Sequence, residues 1–511
     1  MDLVIKIAML VLFFAVMIGV GLYCRKSATD VNGFVLGGRN VGPWLTAFAY
    51  GTSYFSAVIF VGYAGQFGWK FGLASTWIGL GNAFIGSLLA WVILGRRTRV
   101  MTRHLESKTM PEFFGTRFDS PMLKIISSVI VFIFLIPYTA SLYNGLSRLF
   151  GMAFNMDYSV CIIVMAILTG IYVIAGGYMA TAINDFIQGL VMLVGIVAVI
   201  LAVLASKGGF MEAYKSLAAV TDESTELPGA FASFFGPDPF FLLGVVILTS
   251  LGTWGLPQMV QKFYAIKNEE AIRKGTIIST AFALVVAGGC YFLGGFGRLY
   301  TPEVVNGKII FDSIIPNMLA NLSPFLIAVV VILVLSASMS TLSSLVLTSS
   351  STLTLDLIKG TIVKDMKEKT QVFFMRVFVV VFIAISAVIA IIQAKSTVTF
   401  IAQLMGISWG ALAGAFLAPF ILSMYWKGVT KLAVLVNFLF GTGLLTANML
   451  AADKFPKMIN NPITCGAFAM LAGLIIVPVV SLITPRMKKD VVDAKFACFK
   501  RPEAKPENRE L

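Results

Sequence analysis

Thirteen stretches of this chain are apolar over a length that matches the hydrocarbon core of a bilayer, and that feature narrows the choice of fold more than any other. A membrane-crossing helix needs about 20 consecutive apolar residues. Runs of this kind fall near 3–24, 42–66, 73–95, 122–150, 157–176, 180–205, 240–262, 275–297, 323–355, 372–394, 398–425, 430–451 and 463–484. Lipid offers the backbone no hydrogen-bond partner, so segments this long and this apolar are expected to be helices. Only 13% of the residues are charged against 58% hydrophobic, where a soluble domain carries roughly 25% charge. No hydrophilic stretch is long enough to fold apart. The sequence therefore reads as an all-α integral membrane protein of about 13 transmembrane helices, with one transmembrane domain over 1–485 and a basic tail over 486–511. The first run lacks a basic leader and a cleavage site, so a retained helix is expected in place of a removed signal peptide.

The net charge of +14 would point a soluble chain toward nucleic acid. Here the basic residues lie between apolar runs, which makes topology the simpler cause and removes nucleic acid from the expected partners. If the loops are taken alternately, 29 of the 39 Lys and Arg residues fall on one side, the tail included. By the positive-inside rule that side is cytoplasmic. The expectation is a multi-pass protein of the cell (inner) membrane, N-terminus outside and C-terminus inside, with the lipid bilayer as a partner. The tail reads as a solvated face or an anionic-lipid contact. The long loop over 206–239 on the other side, with one amphipathic stretch, GGFMEAYKSL, is expected to be a surface lid. The sequence does not fix an oligomeric state. Five cysteines without a CxxC predict neither a disulfide framework nor a metal centre. The single histidine, His104, lies in a basic loop, which leaves little for histidine-based catalysis. No HExxH, no Walker A loop and no soluble ATP-binding domain occur. Without an ATPase, uphill transport has to draw on an ion gradient, and no enzymatic activity is expected.

Two runs are interrupted in similar ways. The second, VGPWLTAFAYGTSYFSAVIFVGYAG, breaks at Gly51, Thr52 and Ser53; the seventh, LLGVVILTSLGTWGLPQMVQKF, breaks at Gly252, Gly255 and Pro257. Glycine and proline weaken helix continuity, and freed backbone groups in lipid are tolerated where they line a cavity. Runs two to six and seven to eleven each number five, so the breaks head two equal halves, about 42–206 and 240–425. That is the pattern of an inverted-repeat transporter with its site at the midplane, although close helix packing also uses such glycines. The ninth run, LVLSASMSTLSSLVLTSSSTLTLDLIKG, places Ala337, Ser340, Thr341 and Ser344 on one helical face. Hydroxyls and bent carbonyls on that face suit an alkali cation; interhelical bonds or bonding back to the preceding turn are the other use. Asp185 is the one carboxylate set well inside an apolar run, and no Lys or Arg is so placed. An intramembrane carboxylate is a functional candidate or an interfacial group. One carboxylate and no histidine make a thin proton relay, which favours sodium, Na+, over the proton.

The segments LGGRNVGPWLTAFAYGTSYFS, TMPEFFGTRFDS, AGGYMATAINDFIQGLVML, GLPQMVQKFYAIKNEEAIRKG and MSTLSSLVLTSSSTLTLDL follow one another in the order and spacing of a known family. Over roughly residues 5–485 the chain resembles the bacterial sodium:solute symporter family. The resemblance implies a LeuT-type 5+5 inverted-repeat core and sodium-coupled symport of a small organic solute. It implies a sodium site from the carbonyls of Thr52, Phe55 and Ala337 with the hydroxyls of Ser340 and Thr341, and places Asp185 near the sodium exit. INDFIQGLVMLVG and GLPQMVQKF are similar to the sodium/pantothenate member, GGRNVGP, PEFFGTRF and PYTAS to the sodium/proline member. The proline member's substrate-facing positions match Tyr138, Thr249, Thr253 and Pro257, and an aspartate of its first broken helix is Tyr54 here. These departures imply a differently shaped pocket around Ser53 and Tyr54, with Trp254 or Trp409 as an aromatic wall. A proton-coupled transporter and a membrane solute sensor of the same fold stay open, as does a membrane enzyme acting on a lipid.

Overall fold

A computed structural model gives the fold for residues 2–154, 157–221, 228–359, 362–363, 365–394 and 401–499. Residues 222–227 of the 206–239 loop, the first three of the 398–425 run and the end of the tail from 500 onward lie outside the described residues. The chain is helical almost throughout. Its main helices are α1 (Asp2–Tyr23), α2 (Pro43–Tyr54), α3 (Val58–His104), α4 (Met110–Phe118), α5 (Pro121–Phe154), α6 (Tyr158–Ala205), α7 (Phe210–Ala218) and α8 (Pro239–Leu251). They continue as α9 (Pro257–Ala265), α10 (Glu269–Gly294), α11 (Pro324–Thr352), α12 (Glu368–Ala394), α13 (Ile401–Tyr425), α14 (Lys431–Ala451) and α15 (Pro462–Ile483). The one described sheet is a hairpin, β1 (Glu303–Val305) and β2 (Lys308–Ile310), turned at Asn306 and Gly307, both with φ above zero. That is the pairing a tight hairpin turn demands.

Among the described residues ten helices are long and apolar enough to cross a bilayer, or eleven if α8 and α9, bent by 40°, form one broken span. The lower number than thirteen has a local cause. The continuous helices α3 and α6 are 47 and 48 residues long. Drawn straight, each would measure about 70 Å, more than twice the ~30 Å a bilayer core requires. Helix α6 contains two of the apolar runs and α3 the end of one and the whole of the next, each with a glycine between them. Gly72 (φ 60°, ψ −141°) interrupts α3, and Gly177 (φ 54°, ψ −145°) interrupts α6. Both adopt a backbone conformation that residues with a Cβ avoid. A Cβ on Gly72 would meet the Phe231 carbonyl oxygen at 1.9 Å, and one on Gly177 the Phe34 carbonyl oxygen at 2.9 Å.

The layers separate by burial. From Val330 to Thr352, α11 is buried on every side although eleven of its residues there are Ser or Thr. Around it, α1, α12, α14 and α15 turn apolar side chains outward, among them Leu12, Phe373, Leu439 and Ile475, as helices facing lipid must. The 206–239 loop does carry the helix its amphipathic stretch predicts: α7 buries Ala213 and Leu217, and Phe210 packs on the Phe292 and Phe296 rings of the α10 end. The beginning of the tail is docked, not simply solvated. Lys427 pairs with Asp493, Lys495 Nζ lies 3.0 Å from Asp119 Oδ1, and the Arg97 guanidinium sits 4.4 Å from the Phe499 ring. His104 ends α3 at this surface, its ring nitrogen 2.9 Å from the Ala494 carbonyl.

Candidate functional site

The two sequence breaks become two breaks in the helices, with matching geometry. Helix α2 ends at Tyr54, and Phe55 is extended at φ −84°, ψ 119° before α3 begins at Val58. Helix α8 ends at Leu251, and Leu256 is extended at φ −84°, ψ 122° before Pro257 opens α9. Near each break the packing is too close for a side chain: a Cβ on Gly51 would lie 2.4 Å from the Phe282 ring, and one on Gly255 would lie 2.9 Å from the Ala413 backbone.

At the first break the carbonyls of Thr52 and Phe55 face α11. Thr341 Oγ1 stands 3.1 Å from the Thr52 carbonyl oxygen, 3.3 Å from that of Phe55 and 3.1 Å from that of Ala337. Ser340 Oγ stands 3.2 Å from the Thr52 oxygen and 3.1 Å from the Ala337 oxygen. Five neutral oxygens from two helices, 288 residues apart in sequence, thus converge in a fully buried spot. Both hydroxyls donate to carbonyls here. Rotating either hydrogen aside would leave only lone pairs facing the centre, the arrangement a hard cation without a fixed geometry takes. Elsewhere on α11 the hydroxyls bond back to their own helix, as Ser343 does to the Ser340 carbonyl and Ser351 to that of Leu347. Helix α11 therefore carries hydroxyls that reach carbonyls of another segment beside hydroxyls that bond back to their own turn.

The site continues away from the break through a chain of polar groups. Ser53 Oγ lies 2.8 Å from Ser344 Oγ. Ser344 Oγ accepts a hydrogen bond of 3.0 Å from Lys262 Nζ, and that ammonium is 3.8 Å from Asp185 Oδ2 and 5.2 Å from the centre of the Tyr178 ring. Asp185 is fully buried and Lys262 nearly so. The sequence left no Lys or Arg inside an apolar run, and Lys262 overturns that. It stands at the very end of the seventh run, where a basic residue reads as the start of a loop, but α9 carries it inward between α6 and α11. Asp185 is also not the one interior carboxylate. Asp312 accepts a bond from the Ile401 amide at 3.3 Å, and Asp356 lies 3.3 Å from Lys124 Nζ; both are buried.

A second cluster lies on the other side of the first break. The Tyr54 and Trp409 rings are 6.2 Å apart, and the Tyr138 ring meets Trp409 edge-on at 5.8 Å. Trp409 is completely buried, not lipid-facing, and would touch any side chain placed on Gly252. The Tyr54, Tyr138 and Tyr291 hydroxyls, Ser56 Oγ, Asn82 Nδ2 and Trp409 Nε1 are all buried without a hydrogen-bond partner. Asn82 stands near the Tyr54 and Tyr291 hydroxyls, and Ser56 and Trp409 near that of Tyr138. An unpaired buried polar atom costs about 1–3 kcal/mol, so these six groups either turn weakly toward one another, Asn82 to Tyr54 and Tyr291 and Ser56 and Trp409 to Tyr138, or turn to a polar ligand. Thr253, Thr249 and Trp254 are used otherwise. Thr253 Oγ1 bonds the Gly86 and Ser250 carbonyls, Thr249 Oγ1 bonds that of Val245, and Trp254 Nε1 bonds that of Ile85, so the structure does not bring Trp254 to the Tyr54–Trp409 wall. Pro257 is buried as the first residue of α9. Sequence reasoning missed Asn82, Ser56 and Tyr291, because a polar residue inside an apolar run carries no sign of whether its partner is protein or ligand.

Comparison with known proteins decides the family. The sodium:solute symporter family model matches residues 34–441. The chain belongs to the sodium:solute symporter family. It is 28% identical over 490 residues to the osmoregulated proline transporter OpuE of Bacillus subtilis (strain 168), covering 94% of both chains. It is 28% identical over 500 residues to the sodium/proline symporter of Staphylococcus aureus (strain JH9), covering 94% of this chain and 92% of that one. The solved structure of a substrate-bound, outward-open Na+-coupled sialic acid symporter shares the fold, with TM-score 0.73, 17% identity and coverage of 95% of this chain and 99% of that one. That fold is of the LeuT type. This symporter is accordingly a multi-pass membrane transporter and not an enzyme; sodium is its coupling ion and a small organic solute its cargo.

Proposed function

We propose that this symporter imports a small amino acid or carboxylate together with sodium by alternating access, with sodium bound by the carbonyls of Thr52, Phe55 and Ala337 and the hydroxyls of Ser340 and Thr341. The convergence of those five oxygens at the first break carries the reading. The cargo sits beside it, against Tyr54, Tyr138 and Trp409, within reach of Ser53 and the second break at Thr249, Thr253, Trp254 and Pro257. Proline is the first cargo to test, since the relatives named above are a proline transporter and a sodium/proline symporter. A carboxylate such as pantothenate is the second. None of the groups in the unpaired cluster is charged, so a cargo carboxylate is held by backbone amides at the helix ends facing the breaks, where the helix dipole is positive.

Thirteen spans follow if α3 and α6 are each divided at their glycine, if Pro43–Tyr54 is joined to the first part of α3 as one broken span, and if α8 is joined to α9. Two five-helix repeats, about 42–206 and 240–425, then head at Phe55 and Leu256, whose backbone angles agree within a few degrees. The N-terminus is outside and the C-terminus inside the cell membrane. In the cycle, sodium bridges α2 and α11 and fixes the outward-open state. The halves then rock, and sodium leaves past Ser344 and Asp185, where Lys262 stands as the inner barrier.

The deciding experiment is uptake into proteoliposomes with labelled proline and pantothenate under an inward sodium gradient. Sodium-driven accumulation of either supports the reading. Accumulation driven equally well by a proton gradient without sodium would overturn the coupling, and sodium-driven uptake of neither would overturn the cargo class.

A further inference from the structure

At the end of α1 a cavity of about 550 Å³ opens between α1, α6 and α12. Arg25 enters it from the turn after α1. Lys369, Val372 and Arg376 enter from α12, spaced three and four residues apart and therefore on one helical face. Ile174 of α6 forms an apolar wall just before the Gly177 interruption. Among the described residues no carboxylate lines the cavity and none of its three cations makes an ion pair. The Arg376 guanidinium donates to the Ala28 carbonyl at 3.3 Å, while its Nε is buried with no partner. Two guanidinium groups and an ammonium sharing one cavity repel each other unless an anion lies between them. A phosphate matches them, because guanidinium donors fit two of its oxygens at once.

The position of the cavity says which phosphate. The helices that form it show apolar side chains to the outside close by: Tyr23 at the end of α1 is 83% exposed, and Phe373 on α12, between the two lining cations, is 62% exposed. A soluble anion has no use for such flanks, whereas an acyl chain does. Basic pockets between membrane helices at the cytoplasmic surface are known to hold anionic headgroups.

We infer that the Arg25–Lys369–Arg376 cavity binds the headgroup of an anionic phospholipid, with the acyl chains lying along α1 and α12. Its assignment to the cytoplasmic leaflet rests on the orientation proposed above; the binding itself does not.

The test places the full-length protein in nanodiscs of phosphatidylcholine alone or mixed with phosphatidylglycerol, and reads retained lipid by native mass spectrometry alongside the thermal midpoint. The native chain is expected to retain phosphatidylglycerol over phosphatidylcholine and to melt higher in the mixed discs. Arg25→Gln with Arg376→Gln should lower that preference about thirtyfold and remove the gain in midpoint. Lys274→Gln, at an exposed basic position outside the cavity and paired with Glu270, should change neither. If the arginine pair fails to fold, Lys369→Gln at an exposed position should still lower the preference about fivefold. An unchanged preference in the cavity variants overturns the inference. So does stabilisation of the detergent-solubilised protein by inorganic phosphate that phosphatidylglycerol does not exceed, because the site would then hold a soluble anion.

Discussion

Thr341 touches three backbone carbonyls at once, two of them in a different helix, and Ser340 shares two of the three. Either hydroxyl alone leaves a cation with four oxygens. Losing both leaves only carbonyls, which the breaks hold apart from one another. Ser340→Ala with Thr341→Ala is therefore expected to raise the sodium concentration for half-maximal uptake at least tenfold, a loss of about 1.4 kcal/mol or more, while insertion in the membrane is unchanged. Sodium titration of proline uptake in proteoliposomes measures it, and an unshifted titration removes these hydroxyls from the site. Asp185 and Lys262 behave as a unit. Neither Asp185 oxygen has a hydrogen-bond donor within reach, so the ammonium at 3.8 Å is what offsets its burial. Removing one partner of such a pair costs about 3–5 kcal/mol. Lys262→Gln alone should lower the unfolding midpoint markedly, and Asp185→Asn combined with it should recover much of the loss. Strict additivity of the two in a double-mutant cycle would show that the charges do not interact. Asp185→Asn by itself is expected to slow turnover more than it weakens cargo binding.

Helices in this protein are shaped as much by where they stop as by where they run. Gly177 holds a backbone conformation that alanine reaches only under strain, at a cost of about 1–3 kcal/mol, and a Cβ there presses on Phe34. Gly443, inside α14, has open space around its missing Cβ. The expected outcomes are opposite in sign. Gly177→Ala should lower the thermal midpoint, and Gly443→Ala should leave it unchanged or raise it by the ~1 kcal/mol that alanine gains over glycine in a helix. Thermal unfolding of both variants in the same nanodiscs makes the comparison. The breaks, the hydroxyl face of α11 and the amphipathic α7 were all legible in the sequence, because each is a local pattern: glycine and proline within one run, or a three-to-four residue spacing. Lys262 was not. Its surroundings are set by Asp185 and Ser344, 77 and 82 residues away in two other helices, and the ending QKFYAIKNEE looks like any basic loop. The same limit separates Trp409 from Trp254. Both are tryptophans near polar breaks, and only the packing of α13 on α5 and on the end of α2 puts Trp409 against Tyr54 and Tyr138.

At the scale of the molecule the charge distribution supports the proposed orientation, and that orientation puts two exposed lysines on opposite sides. Lys308 is exposed on the β1–β2 hairpin, and Lys488 is exposed just before the docked tail segment. In a background with its cysteines replaced, Lys308→Cys should react with a membrane-impermeant maleimide on intact cells, and Lys488→Cys only after permeabilisation. The reverse labelling would invert the topology. The apolar runs made the membrane class plain, because lipid permits so few backbone solutions. Helix lengths among the described residues give ten or eleven crossings where the apolar runs number thirteen, and the two counts part where Gly72 and Gly177 let a continuous hydrogen-bonded helix turn without ending.

The Lys262–Asp185 pair also has an electrical consequence. With the two charges opposed, the interior of the empty carrier is neutral along the route from the first break to Asp185. Sodium then brings the first net charge into it, and a neutral or zwitterionic cargo adds none. Only the loaded carrier has a charge to move through the membrane field, worth about 2.3 kcal/mol for each 100 mV. The resting potential would push the inward, loaded step and leave the empty return untouched, so the carrier would run as a one-way valve set by voltage.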